Sequence, residues 1–150
     1  IRRQLQSEFI KLSRQLKKTT VFITHDLDEA VKVGHRIAIM RDGQVIQVGT
    51  PEEIIMDPND GYVADFVKGI SRLGIVKAKS IMTSVQQYEQ ANGPFPADAV
   101  RAGEDAAIGM LIKKLVNTDG PIVIENNARV ATGVVTQKVL LNSIAEHRDE

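Results

Sequence analysis

The stretch TTVFITHDLDEA, residues 19–30, contains the strand–helix junction on which the predicted fold depends. Residues 21–23 are consecutive and apolar, and two of them are β-branched. This pattern predicts a strand in a parallel sheet whose two faces are both covered by helices, so that the strand is buried on both sides. Residues 27–33 have helical spacing and precede Gly34, so we expect a short helix that ends there. His25 would then lie just past the carboxyl end of a buried strand, where open α/β sheets bind their ligands.

The composition is that of an ordinary soluble globular protein with one domain or two small ones. The 150 residues are 43% hydrophobic and 25% charged. The sequence has 19 lysine and arginine residues and 19 aspartate and glutamate residues, so its formal net charge is zero. This balance gives no reason to predict nucleic acid as a partner. Cysteine is absent, which excludes disulfides and thiolate metal sites. No apolar run is long enough to span a bilayer, and the sequence begins within a helical pattern, so we interpret it as a piece of a longer protein.

The first half of the sequence predicts alternating helices and strands around this junction. Residues 5–16 place apolar side chains on one face of an amphipathic helix. Residues 36–40 and 45–48 predict two strands, joined by a tight turn with the Asp-Gly signal at residues 42–43. Thr50-Pro51-Glu52-Glu53 predicts the start of the next helix through a capping box, with proline in the first helical position.

A change of pattern near residue 72 predicts a domain boundary, with one block at residues 1–71 and another at 72–150. Residues 62–67 form a last helical stripe that ends at Gly69, and residues 73–79 have no clear period. The second block has its own order of predicted elements. These are a small anchor at 81–83, a loop at 88–96, a helix from about Glu104 to Val116, strands at 122–124 and 130–135, and a last helix capped by Thr136.

Two segments of the first block, residues 19–30 and RDGQVIQVGTPEEI at 41–54, resemble the switch-histidine loop of ABC-transporter ATPases and the segment that follows it. The resemblance covers about residues 1–71 and implies the C-terminal end of a P-loop NTPase (RecA-like) ABC domain, an α/β fold. In that family the switch histidine contacts the γ-phosphate of ATP and helps to position the attacking water. The resemblance therefore implies one catalytic residue here, His25.

The second block, residues 80–146 with PIVIENNARVATGVVTQKVLL, resembles a CBS motif, a small α+β unit, present here in one copy. Thr136 is the candidate ligand-binding residue, either through a phosphate contact or simply as a helix cap, the interpretation that we favour. Nucleotide-binding CBS motifs often have an aspartate where Val139 stands, which argues against adenosine nucleotides as ligands. An unrelated small α+β domain is the alternative.

The combination resembles the ATP-binding subunit of importers for glycine betaine, proline or choline, the osmoprotectants. It implies ATP and Mg²⁺ as cofactors of the intact subunit, and transmembrane permease subunits and a substrate-binding protein as partners. It also implies a cytoplasmic location, at the inner face of the membrane through those partners. The alternative function is a non-catalytic CBS-type module for regulation or dimerisation that senses a ligand or ionic strength.

Most of the ATPase machinery is missing from the sequence. The phosphate cradle G-x-x-x-x-G-K-[ST], an apolar strand ending in Asp-Glu and the ABC signature are all absent. We therefore expect no hydrolysis by this chain alone and no cofactor bound to it. His25-Asp26 could also suggest a metal phosphohydrolase, but His35 and His147 lack ligand spacing, so no metal site is predicted.

The size of the CBS block predicts a homodimer, because so small a unit buries little surface by itself. We expect two-fold symmetry, with one apolar helix face of each chain against the other. The residues predicted for this face are Ile108, Leu111, Ile112, Leu115, Val139, Leu140 and Ile144.

Overall fold

The computed structural model describes Glu8, Leu12 and residues 19–145, and it divides the chain into two compact units between Ile70 and Ser71. Apart from Glu8 and Leu12, the amphipathic helix predicted for residues 5–16 lies outside the described residues. Both units combine helices with β-sheet, as the predicted mixed α/β class requires. None of the helices in the described part has the length and apolar character that crossing a bilayer demands.

The first unit is built around a β-hairpin. Its elements are α1 (Leu27–Val33), β1 (Ile37–Arg41), β2 (Gln44–Gly49), α2 (Pro51–Met56) and α3 (Gly61–Val67). The strands β1 and β2 pair in antiparallel fashion. Asp42 and Gly43 between them have φ angles of 51° and 77°, the left-handed conformation that a two-residue type I′ turn requires at both positions. The predicted hairpin, its turn and the helix that precedes it are confirmed.

The predicted capping box at the start of α2 is also confirmed. The Thr50 hydroxyl accepts the Glu53 backbone N–H at 3.2 Å, and the Glu53 carboxylate accepts the Thr50 N–H at 2.7 Å. This bond to the Thr50 backbone lowers the pKa of Glu53, with a smaller contribution from Arg36. Pro51 occupies the first turn, where its missing N–H costs nothing.

Helices α2 and α3 cover the hairpin and are joined to it by specific polar contacts. The amide of Gln47, buried in β2, donates to the Asp57 carbonyl and accepts the Asn59 N–H, both at 2.8 Å. The guanidinium of Arg41 lies 4.9 Å from the centre of the Tyr62 ring. The fully buried side chains of this unit belong to these two helices, namely Ile54, Ile55 and Val63.

The strand predicted for residues 21–23 is absent, so the prediction that opened the sequence analysis is wrong in this structure. These residues have no regular secondary structure, and Val21 and Ile23 are 85% and 92% exposed. A strand takes its backbone hydrogen bonds from a neighbouring strand. In the described part of the first unit the only strands are β1 and β2, and these pair with each other.

The second unit contains a four-stranded sheet between helices. Its elements are a 3₁₀ turn (Arg72–Gly74), α4 (Ala78–Ile81), β3 (Thr83–Ser84), α5 (Val85–Asn92), β4 (Val100–Gly103), α6 (Ile108–Leu115), β5 (Ile122–Glu125), β6 (Ala131–Val135) and α7 (Gln137–Ala145). The strand order is β3-β6-β5-β4, and β4–β5 is the parallel pair. Ile122, Val123 and Ile124 are all fully buried, so both faces of the sheet are covered.

Two parts of the second unit differ from the prediction. The loop expected at residues 88–96 is helical as far as Asn92, because Ser84 caps α5 by accepting the Gln87 N–H and Gly93, with φ 78°, ends it. The helix expected from about Glu104 begins only at α6. Residues 104–107 form a turn and an isolated bridge instead. The strand β4, at residues 100–103, was not predicted, because its short sequence VRAG has no clear strand pattern and it depends on pairing with β5.

The predicted apolar face for dimerisation is largely used inside the second unit. Ile108 and Leu111 are fully buried and Leu140 nearly so, which makes this part of the prediction wrong. Helix α6 packs against β5 and α7, and α7 also packs against α4, so the burial of these side chains follows from packing within one chain. The more exposed apolar side chains on α6 and α7 are Met110, Leu141 and Ile144, at 54%, 56% and 42% exposure.

Candidate functional site

His25 lies in a bend directly before α1, with its side chain exposed. The next residue, Asp26, is the N-cap of that helix, and its carboxylate accepts the Glu29 backbone N–H at 3.2 Å. The predicted position of His25 at the start of a helix is therefore confirmed. Its predicted position at the end of a strand is not, because residues 21–23 form no strand.

The residue before His25 fixes the other side of the bend. The Thr24 hydroxyl accepts the Asp26 backbone N–H at 3.0 Å and donates to the Glu29 carboxylate at 2.7 Å. Glu29 is itself buried, with 7% exposure. The backbone around His25 is thus held to α1 by Thr24 on one side and by Asp26 on the other. The imidazole remains exposed, so it can contact a group that approaches from outside.

The sequence motif indicated His25, but it did not indicate the residues that hold the bend. Thr24 and Glu29 are five positions apart and are joined only once α1 has formed. A Thr-His-Asp run before a helical pattern does carry one usable signal, since threonine and aspartate are common in turns and caps. Over the described residues, no group of three histidine, cysteine, aspartate or glutamate side chains could hold a metal ion.

Thr136 caps the last helix, as the favoured interpretation predicted. Its hydroxyl accepts the Val139 backbone N–H at 3.3 Å, and its carbonyl accepts the Leu140 N–H at 3.0 Å. Val139 follows within the helix and is half-buried.

A cavity of about 380 Å³ lies beside Thr136. Its walls are the later part of α5, the end of α6, residues 118–121 and the start of α7. Tyr88, Asp119 and Lys138 give it a phenol, a carboxylate and an ammonium group besides the Thr136 hydroxyl. Sequence reasoning missed these three residues because they come from separate elements, and Tyr88 was placed in a loop.

Five other charged residues of the second unit form ion pairs. Lys79 and Lys77 lie 2.9 and 3.7 Å from the Asp105 carboxylate, and the hydrogen bond from Lys79 is the main cause of the lowered pKa of Asp105. Arg101 on β4 pairs with Glu125 on β5. Each of these charged side chains already has an oppositely charged neighbour, so we infer no additional binding site from them.

No family model matches the chain, whereas individual relatives match it clearly. It is 43% identical to the glycine betaine transport ATP-binding protein OpuAA of Bacillus subtilis over 63% of its length. The glycine betaine/proline betaine transport system ATP-binding protein ProV of Escherichia coli is 39% identical over 76% of the chain. The carnitine transport ATP-binding protein OpuCA of Listeria monocytogenes is 38% identical over 89% of it.

These relationships define the class of the chain as a transport ATP-binding protein. More closely, the chain belongs to the family of ATP-binding subunits of glycine betaine, carnitine and choline transporters, and the predicted family is confirmed. It spans 22%, 30% and 36% of the three relatives, so it corresponds to part of such a subunit.

Replacing Thr24 by valine should destabilise the fold, whereas replacing His25 by alanine should not. Valine removes both hydrogen bonds of the hydroxyl and leaves the buried Glu29 carboxylate less well satisfied, at a cost of about 1–2 kcal/mol. The exposed His25 ring contributes little packing. Urea unfolding of both variants and the parent measures the difference. Equal stability of all three proteins would contradict this account of the bend.

Proposed function

We propose that the chain is part of the ATP-hydrolysing subunit that powers import of an osmoprotectant such as glycine betaine, proline or choline. The observation that carries the proposal is the exposed His25 in a bend held by Thr24 and Asp26. An exposed side chain on a fixed backbone suits a residue that contacts ATP bound by another part of the subunit. The names of the relatives, all transport ATP-binding proteins, support the same activity.

Phosphoryl transfer from ATP needs a phosphate cradle, Mg²⁺ and a group that orients the attacking water. We expect the chain not to form a site for ATP and Mg²⁺ by itself, because its sequence has no cradle motif. The chain contributes only the third requirement. The His25 imidazole can hydrogen-bond water or a phosphate oxygen while its backbone is held by neighbouring bonds.

The fold assignment and the partners follow from the same proposal. The first unit would be the C-terminal end of a P-loop NTPase of the ABC type, with residues 1–71 as its share of the chain. Transmembrane permease subunits and a substrate-binding protein would complete the importer. The subunit would then lie at the cytoplasmic face of the membrane, held there by the permease.

In the intact subunit, His25→Ala should lower ATP hydrolysis about a hundredfold or more and leave nucleotide binding nearly unchanged. A residue at the γ-phosphate acts mainly on the transition state, so its loss lowers kcat more than affinity. The ATPase rate and the affinity for nucleotide are measured on the purified full-length protein. His35→Ala is the matched control, because His35 is also exposed and follows the same helix.

Parental hydrolysis by His25→Ala, or loss of hydrolysis by His35→Ala as well, would contradict the role of His25. Loss of nucleotide binding in the His25 variant would also contradict it. The 150-residue chain by itself should show no turnover above that of its own His25→Ala variant.

A second function, suggested by the cavity beside Thr136, belongs to the second unit. We infer a CBS-type regulatory and dimerising block at residues 72–150, which senses a small ligand or ionic strength. The cavity is lined by a positively charged group, a negatively charged group and hydroxyl groups, as a site for a small polar solute would be. Met110, Leu141 and Ile144 remain exposed on α6 and α7 and could pack in a two-fold homodimer.

The second unit should bind AMP weakly or not at all, because Val139 cannot accept hydrogen bonds from ribose hydroxyls. Calorimetric titration of the 150-residue chain with AMP measures this. Val139→Asp should gain affinity, and Val130→Asp, at an exposed site before β6, should not. Micromolar binding of AMP by the parent chain would overturn the prediction.

A further inference from the structure

The second unit begins with a segment that is hydrogen-bonded to two of its helices. We call residues 72–79 the strap. The guanidinium of Arg72 donates to the Ser143 carbonyl, in the last turns of α7, at 3.2 Å. The Val76 carbonyl accepts the backbone N–H of Ile108, the first residue of α6, at 3.0 Å. The strap therefore contacts the start of α6 and the end of α7.

Close packing against α6 also holds the strap in place. A Cβ on Gly109 of α6 would lie only 2.9 Å from the Leu73 carbonyl oxygen, so only glycine lets the strap backbone approach this closely. Val76 and Ala78 are fully buried. The Ala78 N–H also donates to the Ala106 carbonyl at 2.8 Å.

Only a short connection separates the strap from the first unit. The last helix of that unit, α3, ends at Val67, and Gly69 beyond it has φ 90°. The Ile70 N–H still bonds to the Val67 carbonyl. Four residues, 68–71, connect the end of α3 to the strap, and four residues span at most about 14 Å.

The same two helices also reach the cavity, at their opposite ends. Leu115 at the end of α6 and Thr136 directly before α7 both line it. Helices α6 and α7 pack against each other, and the positions of their ends make them antiparallel. With eight and nine residues, each spans about 12 Å or slightly more. They connect the cavity with the strap as two short rigid elements.

We propose that α7 and the strap form a conformational relay from the cavity to the connection between the units, with Arg72 as the positioning residue that joins them. A change at the start of α7 moves the helix, and the charge-assisted bond from Arg72 to the Ser143 carbonyl passes that movement to the strap. The regulatory meaning of the relay rests on the function proposed for the second unit. The mechanical coupling between α7 and the strap does not rest on that function, and it can be measured without any ligand.

Hydrogen exchange of the 150-residue chain tests the relay through a double-mutant cycle. Thr136→Val removes the cap of α7 with little change of shape, and should speed exchange about fivefold at the strap amide of Ala78 and at Ile108. Arg72→Ala should speed exchange at the same amides. In the Arg72→Ala background, Thr136→Val should add no further acceleration there, because the connection is already broken.

The matched control is Ser84→Ala, which removes the cap of α5, a helix outside the proposed relay. It should leave exchange at Ala78 and Ile108 unchanged. The amide of Val123 in the central strand β5 reports the stability of the whole unit.

Additive acceleration in the double variant would contradict the relay, as would acceleration by Ser84→Ala or no acceleration by Thr136→Val. Equal acceleration at Val123 and Ala78 would show general destabilisation and would also contradict it. Because the cycle uses neither ATP nor a cavity ligand, failure of the proposed function leaves these exchange rates as they are, and the two proposals can fail separately.

Discussion

A β-strand needs a neighbouring strand, and this requirement decides which parts of the chain form sheet. In the second unit β5 lies between β4 and β6, and its residues Ile122, Val123 and Ile124 are all fully buried. Residues 21–23 have the same kind of apolar, β-branched sequence but remain exposed, because no strand in the described part of the chain lies beside them. One pattern thus has two outcomes, and the presence of pairing partners separates them.

The structure around His25 also depends on whether a strand has a neighbouring strand. The strand predicted before His25 is not formed among the described residues, whereas the helix predicted after it is. Thr24 and Asp26 bond to each other and to the first turn of α1, which fixes the bend locally. Under the proposed function, these local hydrogen bonds hold the catalytic candidate His25 in a fixed bend at the start of α1.

Features that depend on neighbouring residues could be predicted from the sequence. The Asp42–Gly43 turn, the Thr50 capping box and the Thr136 cap each rest on hydrogen bonds within a few positions, so the local pattern contains their cause. The strand β4 and the strap could not be predicted in this way, because both are defined by partners that are distant in sequence. The cavity was missed for the same reason, since its walls come from four separate segments.

We propose that residues 21–23 form a strand only when another part of the subunit provides neighbouring strands. Hydrogen exchange at the amides of Val21 and Ile23 tests it most directly, in the 150-residue chain and in the intact subunit. We expect exchange close to that of an unstructured peptide in the chain alone, and about a hundredfold or greater protection in the intact protein. Strong protection in the isolated chain, or none in the intact subunit, would contradict the claim.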